Sequence, residues 1–162
     1  MRIAICSDIH DNIWKLERAL PMMSDAGDLI FCGDFCAPFT LAQMAGGFQG
    51  RIHVVFGNND GDPRLLSLVA SKADNVELYG QFADVEIGGL HVAVNHYPEI
   101  GRAIAHGAQY DLVCYGHDHK LYQEQIGDCL LVNPGEIMGR FGRSTFMLVE
   151  TTERAVTVVD VD

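Results

Sequence analysis

Positive charge is scarce in this chain. Its 162 residues carry 11 Lys and Arg against 22 Asp and Glu, a formal net charge of −11, and the basic residues form no block. Such a field repels phosphate polyanions, which argues against broad nucleic-acid binding and most of all against a duplex nuclease. Cysteine is too irregular for a disulfide framework: the five residues Cys6, Cys32, Cys36, Cys114 and Cys129 mostly lie within or beside apolar runs. No second cysteine pair joins Cys32 and Cys36, so the thiols are expected to be reduced and structural rather than ligands of a soft metal. No apolar run approaches a membrane span, and MRIAICSDIH turns charged too soon for a signal peptide, so a cytoplasmic protein is expected. Internal repeats, low-complexity stretches and linkers are also missing. Against these absences stands a 48% apolar composition, enough for one sizeable core, and a single domain over residues 1–162 is expected.

The hydrophobic pattern alternates along the first half. RIAICS (2–7) reads as a strand, and IWKLERAL (13–20) carries Ile13, Leu16 and Leu20 at helical spacing, with Pro21 set to kink or end that helix. DLIFCG (28–33) and RIHVVFG (51–57) are further strands, PFTLAQMA (38–45) a helix with proline in its first turn, and 63–72 another helix. From VELYG (76–80) onward strands dominate. FADVEI and LHVAVN form a hairpin about Gly88-Gly89, a short helix (99–107) leads into YDLVCYG (110–116), and LYQEQI pairs with CLLVNP about Gly127-Asp128. STFMLVET and AVTVVDV close the chain. The pattern predicts an α/β fold with two mixed sheets face to face and helices outside.

Metal-competent side chains cluster at one end of this map. Asp8 and His10 follow the first strand, Asp34 the second, Asn58 the third, His96 the strand LHVAVN, and His117 with His119 the strand YDLVCYG. Carboxyl ends of strands in an open α/β sheet share one crevice, so these seven residues are expected to converge. Seven oxygen and nitrogen ligands are too many for one divalent ion with an open position and suit two ions sharing a carboxylate. The HxH pair then has a purpose, since alternate positions on extended backbone would send one imidazole to each ion. Mixed imidazole and oxygen ligation suits Mn²⁺, Fe, Zn²⁺, Co²⁺ or Ni²⁺ better than Ca²⁺ or hydrated Mg²⁺, with Mn²⁺ favoured.

SDIH (7–10), CGD (32–34), GNND (57–60), NH (95–96) and GHDH (116–119), in this order and spacing, resemble the motif series of the calcineurin-like metallophosphoesterases. The match spans nearly the whole chain, and the length with the closing NPG (133–135) resembles the small, single-domain bacterial and archaeal phosphodiesterase branch. The resemblance implies a four-layer α-β-β-α sandwich and a dinuclear centre. Asp8, His10, Asp34 and His119 would hold one ion, Asp34, Asn58, His96 and His117 the other, with Asp34 as the bridge. It implies hydrolysis of a small phosphodiester, nucleotide diesters among the candidates, by in-line attack of a metal-bridging hydroxide. A phosphomonoesterase is a variant of that reading. A different class is a non-catalytic binding platform, of the kind exemplified by a retromer subunit with this fold. Self-association is left open.

Three positions depart from the family pattern. Asn59 stands where many members have a histidine thought to protonate the leaving group, and an amide is no general acid. Tyr97, in place of glycine after His96, would narrow the site, stack on a substrate base, or simply pack. Glu136 follows NPG where serine is common; a carboxylate there repels phosphate, so it is expected to point away or pair with Arg140 or Arg143. Those two arginines, on the Gly-rich GEIMGRFGRS (135–144), either fork onto a phosphate or cap a solvated hairpin tip. Asp11 and Asn12 fall in the N-cap region of the first helix, Asp60 is expected to support the ligands rather than join them, and His53, His91 and His106 are expected to be structural.

Overall fold

The computed structural model describes residues 1–162. In chain order the elements are β1 (Arg2–Cys6), α1 (Ile13–Met22), β2 (Asp28–Phe31), α2 (Pro38–Gly47), β3 (Arg51–Val54), α3 (Pro63–Ala70), β4 (Val76–Leu78), β5 (Phe82–Ile87), β6 (Leu90–Asn95), α4 (Pro98–His106), β7 (Leu112–Cys114), β8 (Leu121–Ile126), β9 (Cys129–Pro134), β10 (Thr145–Glu150) and β11 (Val156–Asp160). One sheet runs β11-β10-β1-β2-β3-β4 and the other β5-β6-β7-β9-β8. β1 to β4 are mutually parallel, with β10 and β11 antiparallel at one side. In the second sheet β6, β7 and β9 are parallel, and β5 and β8 close the two edges antiparallel. The antiparallel style therefore begins at β5; β4 still belongs to the parallel series.

Side-chain alternation builds the layers. Along β1, Ala4 and Cys6 point to a cluster with Leu16, Leu20, Leu41, Met44 and Leu66 of the first three helices. Ile3 and Ile5 point the other way and meet Val92, Val94, Leu112 and Val132 of the second sheet. On that sheet's far side Ala93, Val113 and Leu131 pack on Ala105 of α4. A period of two buries both faces of each central strand, and the result is a four-layer α-β-β-α sandwich.

Local chemistry fixes where the helices begin. Asn12 Oδ1 accepts from Lys15 N at 3.2 Å and caps α1, which stops at Met22 once Pro21 has removed a donor from its last turn. Asp11 does something else: its Oδ1 accepts from Ala37 N (2.9 Å) and Thr40 Oγ1 (2.6 Å), so it caps α2, whose own N-cap residue is alanine. All five cysteines are free thiols, four of them buried in the apolar layers. His53 is held between Tyr79 Oη (3.0 Å) and Asp28 Oδ1 (2.9 Å), and His91 bonds Asp84 and the Gln109 carbonyl; both are structural.

Candidate metal centre

Each expected residue lies just past a strand's carboxyl end. Asp8 is two residues beyond β1, Asp34 three beyond β2, Asn58 four beyond β3, His96 directly after β6, and His117 and His119 follow β7. The backbone there curls sharply: Asp8, His10, Asp34, His117 and His119 all have positive φ, between 45° and 75°. A left-handed conformation costs a non-glycine residue about 1–2 kcal/mol and persists where the surroundings over-determine it, typically at functional sites. The extended backbone expected for the HxH pair is thus corrected. His117 and His119 sit in consecutive left-handed bends, and these turn the two imidazoles to different neighbours as extended backbone was expected to do.

The loops are tied together by backbone bonds, Asp8 N to Gly33 O, His10 N to Asp34 O and Gly116 N to His96 O, each 3.0 Å. Gly33, at φ 103°, permits a close approach: a Cβ there would lie 2.7 Å from His96 Nδ1 and 2.6 Å from Gly57 N.

Around this frame the side chains form two neighbouring groups. Asp8 Oδ1 is 3.6 Å from His10 Nε2 and 3.4 Å from His119 Nε2. On the other side Asn58 Oδ1 lies 3.1 Å from His96 Nε2 and 2.8 Å from His117 Nδ1. Asp34 Oδ2 stands between the groups, 3.4 Å from His96 Nε2 and 3.6 Å from His10 Nε2. Asp8, His10 and His119 are close enough to share one cation, and so are Asp8, Asp34 and His96. His96 Nδ1 donates to the Cys32 carbonyl at 2.7 Å, which leaves its Nε2 lone pair facing the cluster.

Two observations test whether this donor set fits divalent cations. Asp8 Oδ1 and His10 Nε2 are buried and have no hydrogen-bond partner, a costly state unless an ion completes them. The titration balance agrees. Asp8, working against burial and assisted by Asp34, raises the His10 pKa. Burial would lower His96, yet Asp34 and Asp8 together raise it. Burial would likewise raise Asp34, but His96 and the backbone and side-chain donors of Asn59 bring it down to about 2. Two carboxylates at 0% and 1% exposure thus create a field that draws in positive charge, and the donors fit the metals that the resemblance implies.

The supporting residues divide clearly. Asp60 accepts from Asp34 N (3.0 Å), Gly57 N (2.7 Å) and Cys36 N (2.8 Å), so both its oxygens hold the loops rather than face the cluster. Asn59 gives its backbone N–H to Asp34 Oδ1 (2.8 Å) and its amide to Asp34 Oδ2 (2.7 Å), which commits it to orienting that carboxylate. Burial pushes the Cys36 thiol up to about 12, so it stands 3.5 Å from His10 Nδ1 as a neutral neighbour. Tyr97 lies edge-on to His96 and His117, with centroids 5.3 and 5.2 Å apart, and forms a wall of the site.

The pairing expected between Glu136 and an arginine is corrected. Glu136 is fully buried and pairs with neither Arg140 nor Arg143; its Oε2 is 2.6 Å from His119 Nδ1. Arg143 is held in a bidentate pair with Asp160 at 2.7 and 2.6 Å, which occupies its fork. The strand β11 carboxylate, distant in sequence, captured it. Arg140 lies with its guanidinium 5.2 Å from the Phe141 ring. Phe141 itself, which sequence reasoning passed over, is 69% exposed and stands edge-on to His119 at 5.1 Å. The only signal for it was an aromatic between two arginines in a glycine-rich turn.

Comparison with known proteins finds phosphodiesterases similar in sequence and fold, and Vps29 proteins similar in fold. A phosphodiesterase of Methanocaldococcus jannaschii is 31% identical over 160 residues, covering 95% of both chains. A solved structure described as a novel archaeal phosphodiesterase superposes with a TM-score of 0.91 at 27% identity over 99% of each chain. At 17% identity, a Vps29 single mutant from Entamoeba histolytica shares the fold over the full length of both chains, with a TM-score of 0.69. Residues 1–154 match the calcineurin-like phosphoesterase superfamily domain, and the chain belongs to that family.

Proposed function

We propose that this protein is a metal-dependent phosphodiesterase acting on a small phosphodiester, with a nucleotide diester as the favoured class. Asp8, His10, Asp34 and His119 would hold one divalent ion and Asp34, Asn58, His96 and His117 a second, Mn²⁺ being the favoured metal. The observation that carries this reading is the orphaned pair Asp8 Oδ1 and His10 Nε2 at the centre of the converged donors. When bound, the cations supply Lewis acidity to the phosphoryl oxygens and make hydroxide available near neutral pH.

The chain's own residues do the rest. Asn59 and Asp60 fix the Asp34 loop before substrate arrives, so little reorganisation accompanies the reaction. Tyr97 and Phe141 stand beside different imidazoles and offer flat surfaces for aryl or nucleobase groups. Arg140, beside Phe141, would be the guanidinium that meets substrate, since Arg143 is committed to Asp160. With so little cationic side-chain help in a chain of net charge −11, a singly charged diester is better matched than a doubly charged monoester. Asn59 cannot protonate a leaving group, and its amide is already spent on Asp34. Esters that depart as stable anions are therefore favoured.

Chelator-stripped protein assayed with a bis-aryl phosphodiester and the matching aryl monoester tests this. Turnover should return only with Mn²⁺, be faster on the diester, and be much slower on a dialkyl analogue. Folded protein that stays inert with every divalent ion would instead favour a binding platform of the same fold, and faster monoester turnover would make it a phosphomonoesterase.

A further inference from the structure

Glu136 is a buried carboxylate that meets the centre through the Nδ1 side of His119. Its two oxygens do different things. Oε1 accepts from the backbone N–H groups of Phe141 (2.6 Å) and Gly142 (2.9 Å). Oε2 meets His119 Nδ1 at 2.6 Å. One side chain, at 0% exposure, therefore holds both an imidazole of the centre and the turn that presents Phe141 and Arg140 beside it. The base of the turn is secured by Thr145 N donating to the Glu136 carbonyl (2.9 Å), Met138 N to the Asp8 carbonyl (3.0 Å), Asn12 Nδ2 to the Met138 carbonyl (2.9 Å), Ser144 Oγ to the Ile137 carbonyl (2.7 Å) and the Arg143–Asp160 pair, whereas the Phe141 and Gly142 N–H groups at its tip are held by Glu136.

We propose that Glu136 is a positioning residue with two coupled tasks. It fixes the His119 tautomer with the proton on Nδ1, so that Nε2, 3.4 Å from Asp8 Oδ1, presents a lone pair to a cation. It also anchors the Phe141 turn, so that the aromatic wall over His119 and the orientation of His119 form one unit. A carboxylate suits both tasks because every neighbour at its two oxygens is then a donor: two backbone amides on one side and an N–H on the other. The proposal rests on the phosphodiesterase reading only for its consequence in metal binding; the tautomer and the turn are properties of the metal-free chain.

Glutamine separates the two tasks. In Glu136→Gln the single amide oxygen is drawn to the Phe141 and Gly142 N–H groups, since turning it round would set donor against donor. Its NH₂ then faces His119 Nδ1 and forces the imidazole proton onto Nε2. Nitrogen-15 spectra of metal-free protein, read where they show a neutral ring, should report His119 as the Nδ1–H tautomer in the parent and as Nε2–H in Glu136→Gln. Exchange protection of the Phe141 amide should persist in Glu136→Gln and be lost in Glu136→Ala. Calorimetric Mn²⁺ affinity at one of two sites should fall about 10–100-fold in Glu136→Gln. An Nε2–H tautomer in the parent overturns the proposal without any variant having to fold. Unchanged tautomer and affinity in a folded Glu136→Gln protein overturn it as well. A parent that binds no divalent ion defeats the phosphodiesterase reading instead, and the tautomer and amide protection still decide the proposal.

Discussion

Asp34→Asn is expected to lower diesterase kcat/KM by on the order of 10³-fold, equivalent to about 4 kcal/mol of barrier. Asp34 Oδ2 is the oxygen placed between the two donor groups, 3.6 Å from His10 Nε2 and 3.4 Å from His96 Nε2. Both carboxylate oxygens already accept from Asn59, one from its backbone and one from its side chain. An amide at position 34 offers a single acceptor, which the fixed Asn59 backbone N–H draws to the Oδ1 place, so an NH₂ that cannot serve a cation takes the place of Oδ2 between the donor groups. Removal of the negative charge also weakens the field that draws metal to the cluster. His53→Ala is the matched control. It removes a buried imidazole from Asp28 and Tyr79 and should cost about 1–3 kcal/mol of stability, while leaving Mn²⁺ binding and turnover intact. Initial rates and calorimetric metal binding on both variants check the pair, and wild-type rates from Asp34→Asn would remove Asp34 from the proposed centre.

A methyl group in the wrong place should do comparable harm. At Gly57 a Cβ would lie 2.1 Å from Asp34 Oδ1 and 2.6 Å from Asp34 N, and the backbone atom cannot rotate aside. Gly57 is also fixed from below, its N–H donating to Asp60 Oδ2 at 2.7 Å. Relief must come from moving the β2 and β3 loops apart, which tears the Asp60 contacts and displaces Asp34. Overpacking of this kind costs about 1–3 kcal/mol, and about 2 kcal/mol in a chain this long lowers Tm by roughly 4–8 °C. Gly57→Ala should therefore melt earlier without metal, and metal should restore less of its stability than it does in the parent. Thermal scans with and without Mn²⁺ read both effects. An unchanged Tm with full metal stabilisation would mean that the loops yield freely and that the close packing has no part in forming the site.

Much of this arrangement was legible in the sequence, because each signal was local. The period-two runs placed the strands, Pro38 marked the first turn of α2, and SDIH, CGD, GNND and GHDH each sat at the end of an apolar run. What escaped was decided by partners far away in the chain. Arg143 lies on a glycine-rich turn that read either as a phosphate fork or as a solvated hairpin tip, and its partner is Asp160, 17 residues later, which holds it in two hydrogen bonds. Glu136 looked like an intruder near phosphate, and only tertiary packing places it under His119. Asp11 lies next to one helix start yet caps another, because the loop after β1 runs past the N-terminus of α2. The HxH spacing indicated two destinations for two imidazoles; the left-handed backbone that achieves this has no signature in the residue types themselves.

Equilibrium titration of chelator-stripped protein with Mn²⁺, with bis-aryl diester turnover followed in the same samples, bears most directly on the proposed centre. Two Mn²⁺ ions should bind per chain, and turnover should rise with occupancy of the second site. Full turnover in the stripped protein, or folded protein that takes up no divalent ion, would contradict the assignment of Asp8, His10, Asp34, Asn58, His96, His117 and His119 to a dinuclear catalytic centre.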